Sequence, residues 1–206
     1  MPANFNNAAP FYDRLSRLIY GGALLNAQVY LLQYIPPNSK ILIAGGGTGW
    51  ILEEITKIHA SGLNIIYVEV SENMMALSKK RNTGANQVAF INDAMEDVSV
   101  PADFDVVITP FLFDNFTEQT TQQVFNHIHS SLKPAGLWLN CDFQLGGKWW
   151  QGVLLKSMFL FFRVVCNIEA THLPDIDQHF AAHHYKSIAQ QTFFGDFIVS
   201  KIYKLV

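Results

Sequence analysis

Residues 45–49, Gly45-Gly46-Gly47-Thr48-Gly49, follow an apolar run, Ile41-Leu42-Ile43-Ala44, and lead into a helical pattern. Glycines at such a junction let the backbone turn sharply and approach a ligand more closely than any Cβ permits. Their spacing narrows the ligand. Gly45, Gly47 and Gly49 make G-x-G-x-G, and Trp50 stands where that frame offers no further glycine, so the dinucleotide pattern G-x-G-x-x-G is not met. No Lys-Ser/Thr pair follows, which excludes a phosphate-cradling P-loop. Glu69 ends the next apolar run. A carboxylate there can accept hydrogen bonds from both ribose hydroxyls of an adenosine-bearing ligand.

Other side chains could do chemistry. Asp114, Asp142 and Tyr12 are candidates for moving a proton, and Asp114 follows an apolar run in Thr109-Pro110-Phe111-Leu112-Phe113-Asp114. A loop or helix-start acid is the plain alternative for Asp114. His179 and His183 are four apart and could share a helical face, with His184, His172 and Glu169 nearby. No compact ligand signature surrounds them, so no metal is expected. Cys141 and Cys166 lie in apolar surroundings, as reduced buried thiols do.

These residues need elements to hold them. Residues 11–34 have helical spacing, interrupted at Gly21-Gly22, and Pro36-Pro37-Asn38 ends the segment. Short apolar runs then alternate with helical patterns: strands at 40–44, 64–70, 87–91, 104–109 and 136–142, helices at 48–60, 72–81 and 118–132. That βαβ alternation predicts a parallel sheet covered by helices on both faces. Residues 149–165 read as a helix and 167–177 as a loop. Residues 185–194 and 197–206, joined by Gly195-Asp196, read as a closing hairpin. The fold class is therefore α/β, a Rossmann-like three-layer sandwich whose mostly parallel sheet ends in an antiparallel C-terminal strand.

The ordered series ILIAGGGTG (41–49), YVEVSENMM (67–75), FINDAMED (90–97), FDVVITPF (104–111) and LKPAGLWL (132–139) resembles the motifs of class I S-adenosylmethionine-dependent methyltransferases. The likeness spans residues 40–142, and the hairpin fits the family's seven-stranded sheet. It implies S-adenosylmethionine as cofactor, with its methionine end on Ala44, Gly45, Gly46, Gly47 and Gly49 and its ribose on Glu69 and Val70. Asp93 would accept from the adenine amino group beside Ala94 and Met95, and Ser71 and Met74 would line the adenosine pocket. The acceptor would meet Tyr12, Tyr20, Thr109, Pro110 and Phe111, with Asp114 as the catalytic candidate. One position departs: Ile43 stands where the family usually places an acid near the methionine ammonium. A fold that keeps the cofactor without turnover is the rival reading on that account, and a nicotinamide oxidoreductase ranks third.

The resemblance implies one domain of 206 residues, with 1–36 as a helical cap, 40–142 as the cofactor core, 143–184 as a lid or substrate-side insertion and 185–206 as the hairpin. Half the residues are hydrophobic and 15% charged, a globular composition. A net charge of −3 with no basic stripe argues against nucleic acid as a partner. Lys79-Lys80-Arg81 is the one basic run, expected at the solvated end of a helix. The N-terminus lacks the basic start and apolar run of a secretory signal, so a cytoplasmic location is expected. Segment 149–165 is rich in Trp, Phe, Leu and Met, but Lys156 and Arg163 interrupt it, so no transmembrane span is expected. Lys156 and Arg163 are seven apart and would share one face. The segment is either a lid helix packed on the sheet, or a surface that admits a lipophilic small molecule or touches a membrane interface.

Overall fold

The structure is a computed structural model that describes residues 5–206. One seven-stranded sheet runs through it in the order β3-β2-β1-β4-β5-β7-β6. The strands are β1 (Lys40–Ala44), β2 (Ser61–Val68), β3 (Ala85–Ile91), β4 (Phe104–Pro110), β5 (Leu132–Phe143), β6 (Tyr185–Phe193) and β7 (Ile198–Leu205). The first five pair in parallel, and β7 runs antiparallel to both β5 and β6. The expected α/β sandwich with its closing hairpin is thus present.

β1 is central and buried on both faces, which is why it reads as an unbroken apolar run rather than an alternation. Its side chains nevertheless divide between two cores with a period of two. Ile41 and Ile43 pack with α2 (Ala23–Leu32), α3 (Trp50–Ile58) and α6 (Trp149–Cys166). Leu42 and Ala44 face the side of α5 (Glu118–Ser131) and α7 (Ile176–Ala182), around Phe125, Trp138 and Phe180. Ile43 is fully buried, so its apolar character serves packing.

Helix α4 (Glu72–Ser78) starts where the Ser71 hydroxyl accepts the Met74 N–H at 3.2 Å. It ends at Ser78, short of residue 81, so Lys79-Lys80-Arg81 lies in a turn. Arg81 is not solvated: its guanidinium donates to Asp13 at 3.2 Å and to the Thr48 carbonyl at 2.9 Å. Residues 167–177 are not wholly a loop either. Asp175 caps α7 by accepting the Gln178 N–H, and Phe180 then stacks on Tyr203 with centroids 3.6 Å apart.

Helix α1 (Tyr12–Tyr20) and α2 are separated by Gly21-Gly22, as the sequence indicates. α1 lies alongside α6. Phe11 and Tyr12 meet Phe161 and Phe162 at one end, and the Tyr20 hydroxyl reaches Met158 Sδ at 3.4 Å at the other. The order reversal between β1 and β4 opens a crevice at the carboxyl ends of these strands, and α1 and α6 roof it.

Candidate functional site

The crevice is a cavity of about 1000 Å³. Its floor is the glycine loop. Gly45 and Gly47 have φ of +69° and +63°, a region that favours glycine. Gly45 N–H donates to the Val68 carbonyl at 2.9 Å, tying the loop to β2. A Cβ on Gly46 would meet the Tyr67 ring at 2.2 Å. That ring is fixed from beneath by donating to the Gly47 carbonyl at 2.9 Å. A Cβ on Gly47 would meet nothing nearer than Met74 Sδ at 4.0 Å. The space it would take is open to a ligand.

Glu69 is buried beside the loop. One carboxylate oxygen accepts the Gly47 N–H at 2.9 Å and the other the Ser71 N–H at 2.8 Å. Burial raises its pKa, and these backbone donors oppose the rise. Each oxygen keeps a lone pair, so the carboxylate can still accept from a diol at the cavity wall. Gly45, Gly46, Gly47, Glu69, Val70, Met74, Asp93, Ala94 and Met95 all line this one cavity, although they come from four separate segments.

Three expected contacts lie elsewhere. Ala44 is fully buried beneath the loop. Gly49, at φ +82°, starts α3, and a Cβ there would meet Ser78 Cα at 2.7 Å, so it serves helix packing. The Ser71 hydroxyl donates to Asn6 at 2.7 Å while capping α4.

The residues expected at the acceptor lie across the cavity. Tyr12, Tyr20, Pro110, Phe111 and Asp114 line it with Phe143, Leu154, Met158 and Phe162. Thr109 does not: it is fully buried, accepting from the Trp138 indole at 3.0 Å and donating to Asn140 at 2.8 Å. Phe111 holds φ +53°, costly for an aromatic residue. Its N–H donates to the Cys141 carbonyl at 2.8 Å, and its ring packs 5.3 Å from that of Phe143. The strained residue thereby carries the chain from β4 around the cavity to Asp114.

Asp114 is buried and accepts the Asn115 amide at 2.8 Å. Asp142 lies behind it, outside the lining; one oxygen accepts the Phe143 N–H at 2.8 Å and the other is buried without a hydrogen-bond partner among the described residues. Burial and the neighbouring Asp142 charge hold the Asp114 carboxyl well above the usual range. Burial pushes Asp142 up to about 7. The pair thus retains a proton near neutrality. Asp114 also raises Tyr12 and Tyr20, after the larger effect of their removal from water.

Asp13 lines the cavity beside the loop and is the residue that sequence reasoning missed. It accepts from Thr48 at 2.8 Å and from the Trp50 indole at 2.7 Å. The histidines form no metal cluster among the described residues: His179 pairs with Glu118, and His183 contacts the His179 carbonyl.

Residues 41–136 match the model of a methyltransferase domain. The ubiquinone/menaquinone biosynthesis C-methyltransferase UbiE of Wigglesworthia glossinidia brevipalpis is 26% identical over 189 residues, covering 88% of this chain and 70% of that protein. The demethylmenaquinone methyltransferase of Clavibacter sepedonicus is 26% identical over 144 residues, covering 68% of this chain and 57% of its own. Over this segment the chain is similar to methyltransferases.

The methyltransferase fold is shared with much more distant structures. Magnesium protoporphyrin IX methyltransferase from Synechocystis PCC 6803, solved with S-adenosylhomocysteine, superposes with a TM-score of 0.70 at 12% identity, covering 98% of this chain and 96% of that one. A Haloferax volcanii putative methyltransferase, solved with the Trm112 activator, gives 0.72 at 12% identity, covering 99% and 98%. The cavity fits S-adenosylmethionine: open space over Gly47, a buried carboxylate beside the loop, and an apolar ledge at Ala94 and Met95.

Proposed function

We propose that the protein methylates a lipophilic, quinone-like molecule in its reduced, hydroquinone form, with Asp114 as proton acceptor. The observation that carries this reading is the continuity of one cavity. It runs from the glycine loop and Glu69 to Asp114, and beyond Asp114 its walls are Phe111, Phe143, Leu154, Met158 and Phe162. About 1000 Å³ lies at the upper end for ligand sites, room for a cofactor and a sizeable apolar acceptor. The names of the relatives, enzymes of ubiquinone and menaquinone biosynthesis, support the same class.

Gly45–Gly47, Glu69, Val70, Met74 and Asp93–Met95 would hold S-adenosylmethionine, which when bound supplies an electrophilic methyl group on a sulfonium. The glycine loop lets that group sit close to the backbone, and Glu69 fixes the ribose. The protein then has to align acceptor and methyl group and exclude water. The roof of α1 and α6 does both.

A quinone ring is electron-poor and cannot attack a methyl group; its hydroquinone can. The singly charged Asp114–Asp142 pair takes the hydroxyl proton in the microstate that leaves its charge on Asp114, the member at the cavity wall. The electron pair released into the ring would form the new C–C bond as the C–S bond breaks with its pair going to sulfur. The carboxyl pair would then return its proton to the ring oxygen as the ring C–H proton leaves to water, restoring the aromatic hydroquinone with one proton released net. Tyr12 and Tyr20, held neutral, can orient the acceptor by hydrogen bonding without competing as bases.

The test is methyl-labelled turnover with a prenylated hydroquinone and a polar catechol, each kept reduced. Label in the prenylated product, with the catechol at least tenfold poorer in kcat/KM, supports the reading. Preference for the catechol contradicts it.

A further inference from the structure

Among the described residues, nothing covers the outer face of α6. Only 28% of this 18-residue helix is buried, although its mean hydropathy of 1.2 is that of a segment able to cross a bilayer. Leu155, Met158, Phe159 and Cys166 face inward. Outward, Trp149 is 83% exposed, Val153 60%, Leu160 64% and Val164 77%. These follow helical spacing and form one stripe about 22 Å long. Phe11, just before the neighbouring α1, is in ring contact with Phe161, and Leu18 on α1 is 83% exposed. Exposed apolar side chains gathered into a contiguous face mark an interaction site, whereas scattered ones do not.

Charge identifies the partner. The chain carries a net −3, yet no acidic residue occurs between Gln144 and Ile168. The cations on this face are Arg14, Lys156 and Arg163, all exposed and none in an ion pair among the described residues. Asp13, the one acid of α1, is turned inward onto Thr48, Trp50 and Arg81. An apolar stripe flanked by free cations, with an aromatic residue at its end, is the composition of a helix lying in the headgroup layer. Its inner side chains are committed to the protein core, so such a helix can lie on a bilayer but not cross it.

We propose that the α1–α6 face docks the enzyme onto anionic lipid bilayers. The same two helices roof the cavity: Leu15 and Ile19 of α1 and Leu154 and Phe161 of α6 line it. Docking would therefore set the cavity's apolar roof against the acyl region, so that a lipophilic acceptor reaches Asp114 without crossing water. Docking builds on the reading of a lipophilic acceptor, but it is measured without methyl transfer.

The experiment is co-sedimentation with vesicles of phosphatidylcholine alone or with 30% phosphatidylglycerol. The wild type should pellet with the anionic vesicles, lose at least fivefold in bound fraction at high salt, and be released by alkaline carbonate. The double variant Leu160→Glu/Val164→Glu changes only exposed positions. It should keep its circular dichroism spectrum and S-adenosylhomocysteine affinity while losing vesicle binding at least fivefold. Lys156→Glu/Arg163→Glu should abolish the preference for anionic lipid. No wild-type binding, or unchanged binding by the leucine–valine variant, overturns the proposal. Retention after carbonate would mean a spanning helix and overturn it as well. So would a wild-type dimer in light scattering that the variant abolishes, without vesicle binding, since the face would then belong to a second copy. Loss of turnover with vesicle binding intact would contradict the acceptor reading alone.

Discussion

Asp13 on the first helix accepts the indole N–H of Trp50 at 2.7 Å, across 37 residues of chain. Its other oxygen takes the Thr48 hydroxyl, and Arg81 closes the group from α4's end. One carboxylate thus joins α1, the glycine loop and the turn after α4. Arg17 and Arg81 also lie over the Trp50 ring, at 4.5 and 4.8 Å from its centroid. Asp13→Ala should cost about 1–3 kcal/mol of stability, the scale for orphaning hydrogen-bonded donors. It should also loosen α1 from the loop and weaken S-adenosylhomocysteine binding. Thermal melts and limited proteolysis within residues 5–20 would check this; an unchanged melt would remove the latch.

Gly46 and Gly47 are adjacent, yet they should fail differently. Gly46→Ala drives a Cβ into the buried Tyr67 ring, so it should lower stability by about 1–3 kcal/mol, as overpacking does. Gly47→Ala meets open space and pays mainly for its positive φ, about 1–2 kcal/mol. Its methyl group enters the proposed cofactor space, so its main loss should be affinity, at least tenfold. Melts and calorimetry on both variants separate the two effects.

Much of this architecture was legible in the sequence, and the exceptions have physical causes. β1 matches its expected bounds because a doubly buried strand is a clean apolar run. β2 begins at Ser61, before its apolar residues, because its pairing with β3 resumes across a register shift at polar positions. α7 overlaps the expected loop only at Ile176 and Asp177. Beyond a helical face that His179 and His183 could share, its residues suggest no element, because seven residues show too little periodicity, and its order comes from Phe180 among Phe125, Trp138 and Tyr203. Glu69 was readable from its place at a strand end. Asp13 was not, since its partners lie 35 to 68 residues away. Thr109 was expected at the acceptor, but strand alternation turns it into the core beside Trp138.

The carboxyl at the cavity wall should govern the chemical step. Asp114→Asn keeps the shape and removes the base, so kcat should fall about 10²–10⁴-fold. S-adenosylhomocysteine affinity should stay within threefold, because Asp114 lies at the acceptor end. Equal kcat in the variant would assign proton removal elsewhere.

The buried pair also sets a pH dependence. Burial raises Asp142 from 3.8 to about 7, so between these values the folded state keeps a proton that the unfolded state releases. Unfolding then loses protons, and stability from this group falls as pH rises from about 4 through 7. Asp142→Asn removes that fall. The variant should melt higher than wild type at pH 8, by about 1–3 kcal/mol, with a smaller gain at pH 5. A difference in melting independent of pH would mean that Asp142 is ionised throughout.

The most direct test of the cofactor cleft is calorimetric titration of S-adenosylhomocysteine into the wild type and Glu69→Ala. The cleft predicts saturable binding at one site per chain, weakened in the variant by about 1–3 kcal/mol, the cost of losing a buried acceptor for the ribose diol. Identical affinity in the two proteins, or no binding to the wild type, would contradict it.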